Sequence, residues 1–402
     1  VFKTVYVEMD GIDTNSGKTP DDPFETIAHA YSSLDAEGGI VYIGRGHYPV
    51  DSEIALTKPV RFIGRDKTET VVVSGISSGY VFRKSPGALV TGIEFEKIGF
   101  DMQDVSNAAG LYFENANSVV IKECGFYGAG IWSVVFGASG ATADTTTIVC
   151  QGVQIEGCEF RGAVSTYEAL LIFNTVDITV ADCTFSEIGD TAIGLGFYQN
   201  VRNALVKNCD FSSTGTGGVG MYYAFSTNDI KVYGSRFRIG VPIQGALTSD
   251  HGNFGFAWVD GLHIEDCDIQ GLADGRGVEI GACRSARLVT SHIHDSYGSG
   301  MWISRGHLAV GEGTHLSTGL RIIGCKIRNN NQVNTFNALH PAIFILNDTL
   351  DQDIDLQLVE TVIEDDQLVA TQTYAWYADP GITGYREILC SIEGLTTGHL
   401  NP

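Results

Sequence analysis

Ile121-Lys122-Glu123-Cys124-Gly125-Phe126 decides the fold, because its phrase, apolar-x-x-Cys-x-Phe/Ile, returns through the middle of the chain. It recurs as Ile155…Cys158-Glu159-Phe160, Val180…Cys183-Thr184-Phe185, Val206…Cys209-Asp210-Phe211, Ile264…Cys267-Asp268-Ile269 and Ile322…Cys325-Lys326-Ile327. Ile98 before Phe100, Ser235 before Phe237, Ser291 before Ile293 and Thr361 before Ile363 supply the missing rungs. The spacings are 26, 34, 25, 26, 26, 32, 24, 34 and 36 residues. A period of this length marks units that bury their hydrophobic face only by stacking on one another.

Each unit parses as three short strands with polar or Gly-rich corners, as in Asp177–Val180, Cys183–Phe185 and Ala192–Phe197. Two-residue alternation runs throughout, and no segment there carries a helical apolar pattern. About 25 residues per coil is too short for a βαβ unit, so the chain climbs one strand layer, about 4.8 Å, per turn. The expected fold is all-β, a right-handed parallel β-helix, since parallel crossovers are overwhelmingly right-handed. Its open end needs a cover. Asp22-Pro23-Phe24-Glu25 reads as a capping-box-like start with Pro at the first helical position, followed by Phe24, Ile27, Ala28, Tyr31 and Leu34 on one face. This predicts an N-terminal capping helix over 22–35, within a cap and first turns spanning 1–84. Residues 85–402 carry the coils, and the whole reads as one elongated domain.

The opening run Tyr6-Val7 … Asp10-Gly11-Ile12-Asp13-Thr14-Asn15-Ser16-Gly17 … Pro23-Phe24-Glu25-Thr26-Ile27 … Gly39-Ile40-Val41-Tyr42-Ile43 … Gly46-His47-Tyr48 resembles the entry segment of the pectate-lyase-like β-helix superfamily. That superfamily includes polysaccharide lyases, glycoside hydrolases, alginate epimerases and phage tailspikes. The resemblance implies a polysaccharide or oligosaccharide partner, a homotrimer, and a place on a virion tail or outside the cell.

Net charge is −23, which argues against phosphate-backbone binding and so against nucleic acid as partner. The sequence has neither an apolar run of eighteen residues nor a basic-then-apolar leader, so no membrane span and no signal peptide are expected in the chain as given. Six of the nine cysteines hold the repeated position, the total is odd, and Cys-x-x-Cys is absent. They read as small buried fillers, and folding in a reducing compartment follows.

Three motif matches are turn glycines. Gly215–Gly220 leads into a strand and not a helix, Gly75–Gly79 does likewise, and Gly17-Lys18-Thr19 lacks the P-loop spacing. Coil length is a better guide, because a solenoid keeps its core constant and places insertions in loops. The long spacings come from 138–152, 249–260, 305–318 and 329–340, three of them in the last third.

Aligning the strands after each ladder position gives Val219–Tyr222, Ala246–Ser249, Val278–Gly281, Met301–Ser304 and Ile343–Leu346. With first and third residues inward, Tyr222, Glu279, Trp302 and Phe344 share an outward row suited to stacking on sugar faces. Just beyond lie Asp250, His251, Arg284, Arg305 and His307, with Asp250 about 9.6 Å from Arg305 at the layer spacing. Hydrolysis would use Asp250 with Glu279 or Glu312 as the two carboxylates. Elimination would use His251 or His307 as base with Arg305 on the enolate. Asp250-His251 resembles the Asp-x-His element of alginate epimerases, without the intervening residue. A glycan-binding or scaffold protein and a uronate C5-epimerase are the alternatives to a depolymerase. No metal or cofactor is expected; Asp351, Asp353 and Asp355 alternate as a calcium ligand set would, but lack calcium-loop spacing.

Overall fold

The computed structural model describes residues 3–103, 108–128, 130–137, 148–162, 168–213, 218–223, 227–245, 259–272, 277–281, 283–296, 298–304, 319–328, 330, 341–345, 352–364, 374–378, 382–388 and 390–393. It divides into two compact units, residues 1–139 with 143–187, and residues 188–402 with 140–142.

Both units repeat one coil. In the first unit, Ala116–Lys122 belongs to a sheet we call A, Gly125–Tyr127 to sheet B and Val134–Phe136 to sheet C. Each pairs in parallel with its counterpart one coil on: Ala116 with Cys150, Phe126 with Phe160, Val134 with Leu170. The second unit does the same with Asn228–Tyr233, Arg236–Ile239 and Val241–Gly245. All the strand pairings resolved between these coils are parallel, as stacking of identical turns requires.

The A-to-B corner explains the repeated phrase. One residue with φ between 45° and 63° turns the chain at Lys97, Glu123, Gly157 and Asp182, and again at Asn208, Gly234, Asp266, Thr290, Gly324 and Glu360. The ladder residue follows immediately and points inward. Cys124, Cys158, Cys183, Cys209, Cys267 and Cys325 are 2% exposed or less. Their thiols donate back to carbonyls, Cys124 Sγ to Phe95 O at 3.5 Å and Cys325 Sγ to Leu288 O at 3.4 Å. Where serine replaces cysteine the hydroxyl bridges two coils. Ser235 Oγ donates to Tyr233 O at 3.0 Å and accepts from Cys209 N at 3.1 Å. All nine cysteines are thiols and eight are buried. Burial pushes the Cys150 and Cys325 thiols up to about 11 and those of Cys267 and Cys283 to about 12. The ladder also runs one rung further than the repeat suggests: Cys390, between Ile382–Ile388 and Ser391–Glu393, donates to Leu358 O at 3.5 Å.

Two residues past each ladder position stands the core ring. Phe100, Phe126, Phe160 and Phe185 stack at 4.9, 5.0 and 4.7 Å with planes within 9°. Phe211 and Phe237 stack at 4.6 Å, and Ile269, Ile293, Ile327 and Ile363 continue the file as buried aliphatics.

The N-terminal helix is shorter than expected, Ile27–Ser32, and its N-cap is Thr26, whose side chain accepts from His29 N. Asp22–Glu25 is not a first helical turn. The Asp13 carboxylate accepts from Glu25 N at 3.0 Å, Thr26 N at 2.9 Å and Thr26 Oγ1 at 2.7 Å, which keeps the chain extended up to the cap, and Phe24 forms a parallel bridge to Val7. Burial raises the Asp13 pKa, but these hydrogen bonds outweigh it and leave the group below its usual value. Ile27, Ala30 and Tyr31 are buried, and the helix packs on Lys3–Val7 and Gly39–Ile43 of sheet A. Among the described residues no helix is long and apolar enough to cross a membrane.

Candidate functional site

The pairings of sheet C in the second unit correct the sequence alignment at two strands, since Met221 and not Val219 is level with Val278, and Ile243 stands between them. Tyr222 pairs with Gln244, Gln244 with Glu279, Glu279 with Trp302 and Trp302 with Phe344, and Tyr377 follows. The strand between Tyr222 and Glu279 is Val241–Gly245, so Gln244 stands in the row, and the strand read at 246–249 lies outside the described residues. The inward alternation holds: Met221, Ile243, Val278, Ile280, Met301 and Ile303 are all buried. In the neighbouring coil Tyr198 meets the Tyr222 ring at 5.1 Å.

Two expected residues sit differently from their reading. Glu279 is on the outward side yet only 1% exposed, and its Oε2 accepts from Gln244 Nε2 at 3.1 Å. Its neighbours in register, one layer away on either side, are Gln244 and Trp302. Arg284 belongs to sheet A. The chain turns into sheet A right after Gly281, Cys283–Arg284 pairs with Val259 and Asp260, and the guanidinium holds the Asp260 carboxylate through two bonds of 2.8 and 2.7 Å. Such an exposed pair contributes little to stability, and it occupies the fork that was to bind an oxyanion. Tyr222 and Trp302 are part-exposed, as stacking on a ligand requires. Asp250, His251, Arg305, His307 and Glu312 lie outside the described residues, and Phe344 is described by its backbone alone.

The acidic clusters read as structural. Asp355 is engaged by Arg321, whose Nη2 lies 2.9 Å from its Oδ2, and a register shift between Asp353 and Leu356 breaks the alternation that suggested a calcium ligand set. Asp351 lies outside the described residues. The glycine fingerprint at Gly215–Gly220 has a packing cause where it is described. A Cβ on Gly220 would lie 2.6 Å from Pro242 O of the next coil.

Sequence reasoning missed one cluster, on sheet B. Asp268, His292 and His294 bring one ligating atom each to within 4.8 Å of the others. Asp268 pairs in register with His292, and His294 follows two residues on, which puts all three on the outward face. Burial and the neighbouring His294 lower the pKa of His292.

This architecture, three parallel sheets wound by one repeating coil, is a parallel β-helix. The family model described as a right-handed β-helix region matches residues 109–256, and the fold is the right-handed form. No curated protein matches the chain in sequence. Among solved structures, the A-module of the mannuronan C-5 epimerase AlgE6 of Azotobacter vinelandii gives a TM-score of 0.63 at 13% identity, over 93% of this chain and 91% of that one. A variant tailspike protein of the E. coli bacteriophage HK620, solved in complex with a hexasaccharide, gives 0.59 at 10% identity over 93% and 76%. PfbA, a surface adhesin of Streptococcus pneumoniae, gives 0.52 at 14% identity over 93% and 88%. At such identities the likeness is one of fold, and function has to be argued from the site.

Proposed function

We propose that this chain is a polysaccharide depolymerase of tailspike type that lays its glycan along the outward row of sheet C. The observation that carries the reading is the file Tyr222, Gln244, Glu279 and Trp302 on four successive coils. Layers about 4.8 Å apart put a sugar ring within reach of two or three of these at once. The part-exposed rings of Tyr222 and Trp302 offer flat apolar faces, and Gln244 offers an amide to hydroxyl groups. Glu279 is the carboxylate of this row and would exchange a proton with a glycosidic oxygen once the Gln244 amide bonded to it moves aside. Its partner in hydrolysis or elimination would come from Asp250, His251, Arg305, His307 or Glu312. The HK620 tailspike, which shares the fold and was solved in complex with a hexasaccharide, supports the substrate class. A homotrimer on a virion tail or cell exterior is the setting this reading implies.

The test is incubation with a panel of bacterial capsular and plant polysaccharides, reading new reducing ends and the absorbance of unsaturated uronates. Cleavage of at least one polymer is expected. Glu279→Gln should cut the rate about 10²-fold or more with binding kept, and Trp302→Ala should weaken binding by about 1 kcal/mol. A panel neither bound nor cleaved sinks the proposal. A second reading, glycan binding without cleavage, is favoured by the single carboxylate that the row carries among the described residues, and it predicts binding with no product. Altered uronate stereochemistry without chain cleavage would mark an epimerase instead.

A further inference from the structure

We propose that Asp268, His292 and His294 form a site for one divalent transition-metal ion of the zinc class, on the outer face of sheet B and apart from the glycan row. The scaffold sets the three in place without any loop. Asp268 and His292 are the first strand residues after the ladder positions Cys267 and Ser291, and Ile269 and Ile293 beside them are locked into the core file. The carboxylate and the two imidazoles therefore sit on one rigid surface, as a preorganised site requires.

The distances fit an ion. Asp268 Oδ1 lies 2.9 Å from His294 Nε2 and 3.7 Å from His292 Nδ1. Metal–ligand bonds of about 2.0–2.2 Å in a tetrahedron give ligand–ligand edges of about 3.4 Å, so the observed pair brackets the required spacing. The rings stack at 4.3 Å with 25° between planes, and loading turns each ring until its nitrogen lone pair meets the ion.

Two further observations point to a ligand. His294 Nδ1 lies 2.9 Å from Asp295 Oδ2. A carboxylate behind a histidine fixes the ring and the tautomer with the far nitrogen left to bind metal, as in carboxylate–histidine–zinc arrangements. On His292, the buried Nε2 has no hydrogen-bond partner among the described residues, and the contact of Nδ1 with Asp268 is longer than a hydrogen bond. Coordination would use His292 Nδ1, the nitrogen that faces Asp268 without a hydrogen bond to it, and would leave Nε2 to carry the ring proton.

Four cations flank the cluster. Arg236 is in register with Asp268 but ion-paired to Asp210, Arg238 Nη2 approaches the other oxygen, Asp268 Oδ2, at 3.9 Å, Lys326 is in register with His292 and drawn to Glu364 at 2.5 Å, and Arg328 is in register with His294. Two imidazoles with one carboxylate suit zinc, copper or nickel, whereas calcium and magnesium prefer all-oxygen sets. Three protein ligands leave the fourth position, facing solvent, to water.

The experiment uses the full untagged chain stripped with a chelator, then titrated calorimetrically with zinc chloride. One equivalent should bind, and cobalt(II) should give a visible absorption band. His292→Gln, His294→Gln and Asp268→Asn should each lower affinity at least 100-fold and abolish the band, with circular dichroism unchanged because all three side chains lie outside the core. Asp295→Asn, which removes only the support behind His294, should cost about 10–100-fold. Absence of zinc uptake, uptake unchanged in His294→Gln, or equal heat with calcium would each overturn the proposal. None of these readouts depends on glycan cleavage, so the two proposals stand or fall separately.

Discussion

Replacing Phe160 by alanine tests whether the phenyl file holds the first unit together. Phe160 is fully buried and stacks on Phe126 at 5.0 Å and on Phe185 at 4.7 Å, with planes 9° and 4° from parallel. Truncation removes the ring from both neighbours and leaves a void that coils above and below, tied by ladder hydrogen bonds, cannot close. Buried Phe→Ala changes cost about 3–5 kcal/mol, and the rigid solenoid favours the upper half of that range. Phe160→Ile should cost only about 1–2 kcal/mol, because the same position is filled by Ile269, Ile293, Ile327 and Ile363 in later coils, where the aliphatic packs fully buried. Equilibrium urea unfolding followed by circular dichroism, with midpoint shifts compared at a common slope, gives the numbers. Double-mutant cycles sharpen the test. Phe126 with Phe160 should couple by about 1 kcal/mol, whereas Phe126 with Phe185, two layers apart, should add within about 0.5 kcal/mol. The reasoning fails if alanine costs under about 1 kcal/mol, if isoleucine costs as much as alanine, or if the distant pair couples as strongly as the adjacent one.

The buried thiols and the strained corner make two more predictions. At pH 8 Ellman's reagent should modify Cys390 promptly in the folded protein and leave the other eight untouched, since all eight are buried and burial lifts the Cys150, Cys267, Cys283 and Cys325 thiols to about 11–12; all nine should react in guanidinium, and three or more fast thiols in the native chain would contradict the ladder. Thr290 is a β-branched residue at φ 45°, where the equivalent corners carry Asn208 and Asp266. Left-handed backbone costs an ordinary residue about 1–2 kcal/mol, so Thr290→Asn should raise stability by about 0.5–1 kcal/mol in thermal unfolding, after loss of the Thr290 hydroxyl bond to Asp266. A fall in melting temperature would show that this hydroxyl bond outweighs the backbone strain.

How much of this was legible depends on which corner a residue follows. The turn from sheet A to sheet B is one left-handed residue at ten successive corners, from Lys97 to Glu360, so the cysteine phrase sets the register of sheet B there from the sequence alone, down to the inward phenyl or isoleucine. The turn from B to C varies. Val219 lies ten residues past Cys209 and Val278 eleven past Cys267, but Val241 only six past Ser235. An alignment that carries the longer offset forward therefore sets 246–249 where Val241–Gly245 stands, and it sets Val219 level with Val278, whose partners in the file are Ile243 and Met221. The helix start was misread for a related reason. Asp13, thirteen residues from Thr26, supplies the hydrogen bonds that delay the helix, and no local pattern announces so distant a partner. The same logic explains why the histidine cluster was overlooked although it was the easier one to find. Its registration needs only the rung spacing of 24, which carries Asp268 onto His292, and the two-residue alternation that brings His294 to the same face. The search for chemistry went to the long inserts flanking sheet C, where coil length varies and register is least determined. On a solenoid of this kind, outward polar residues counted from the corner that never changes are the ones whose spatial neighbours a sequence already determines, and a site search should begin with them.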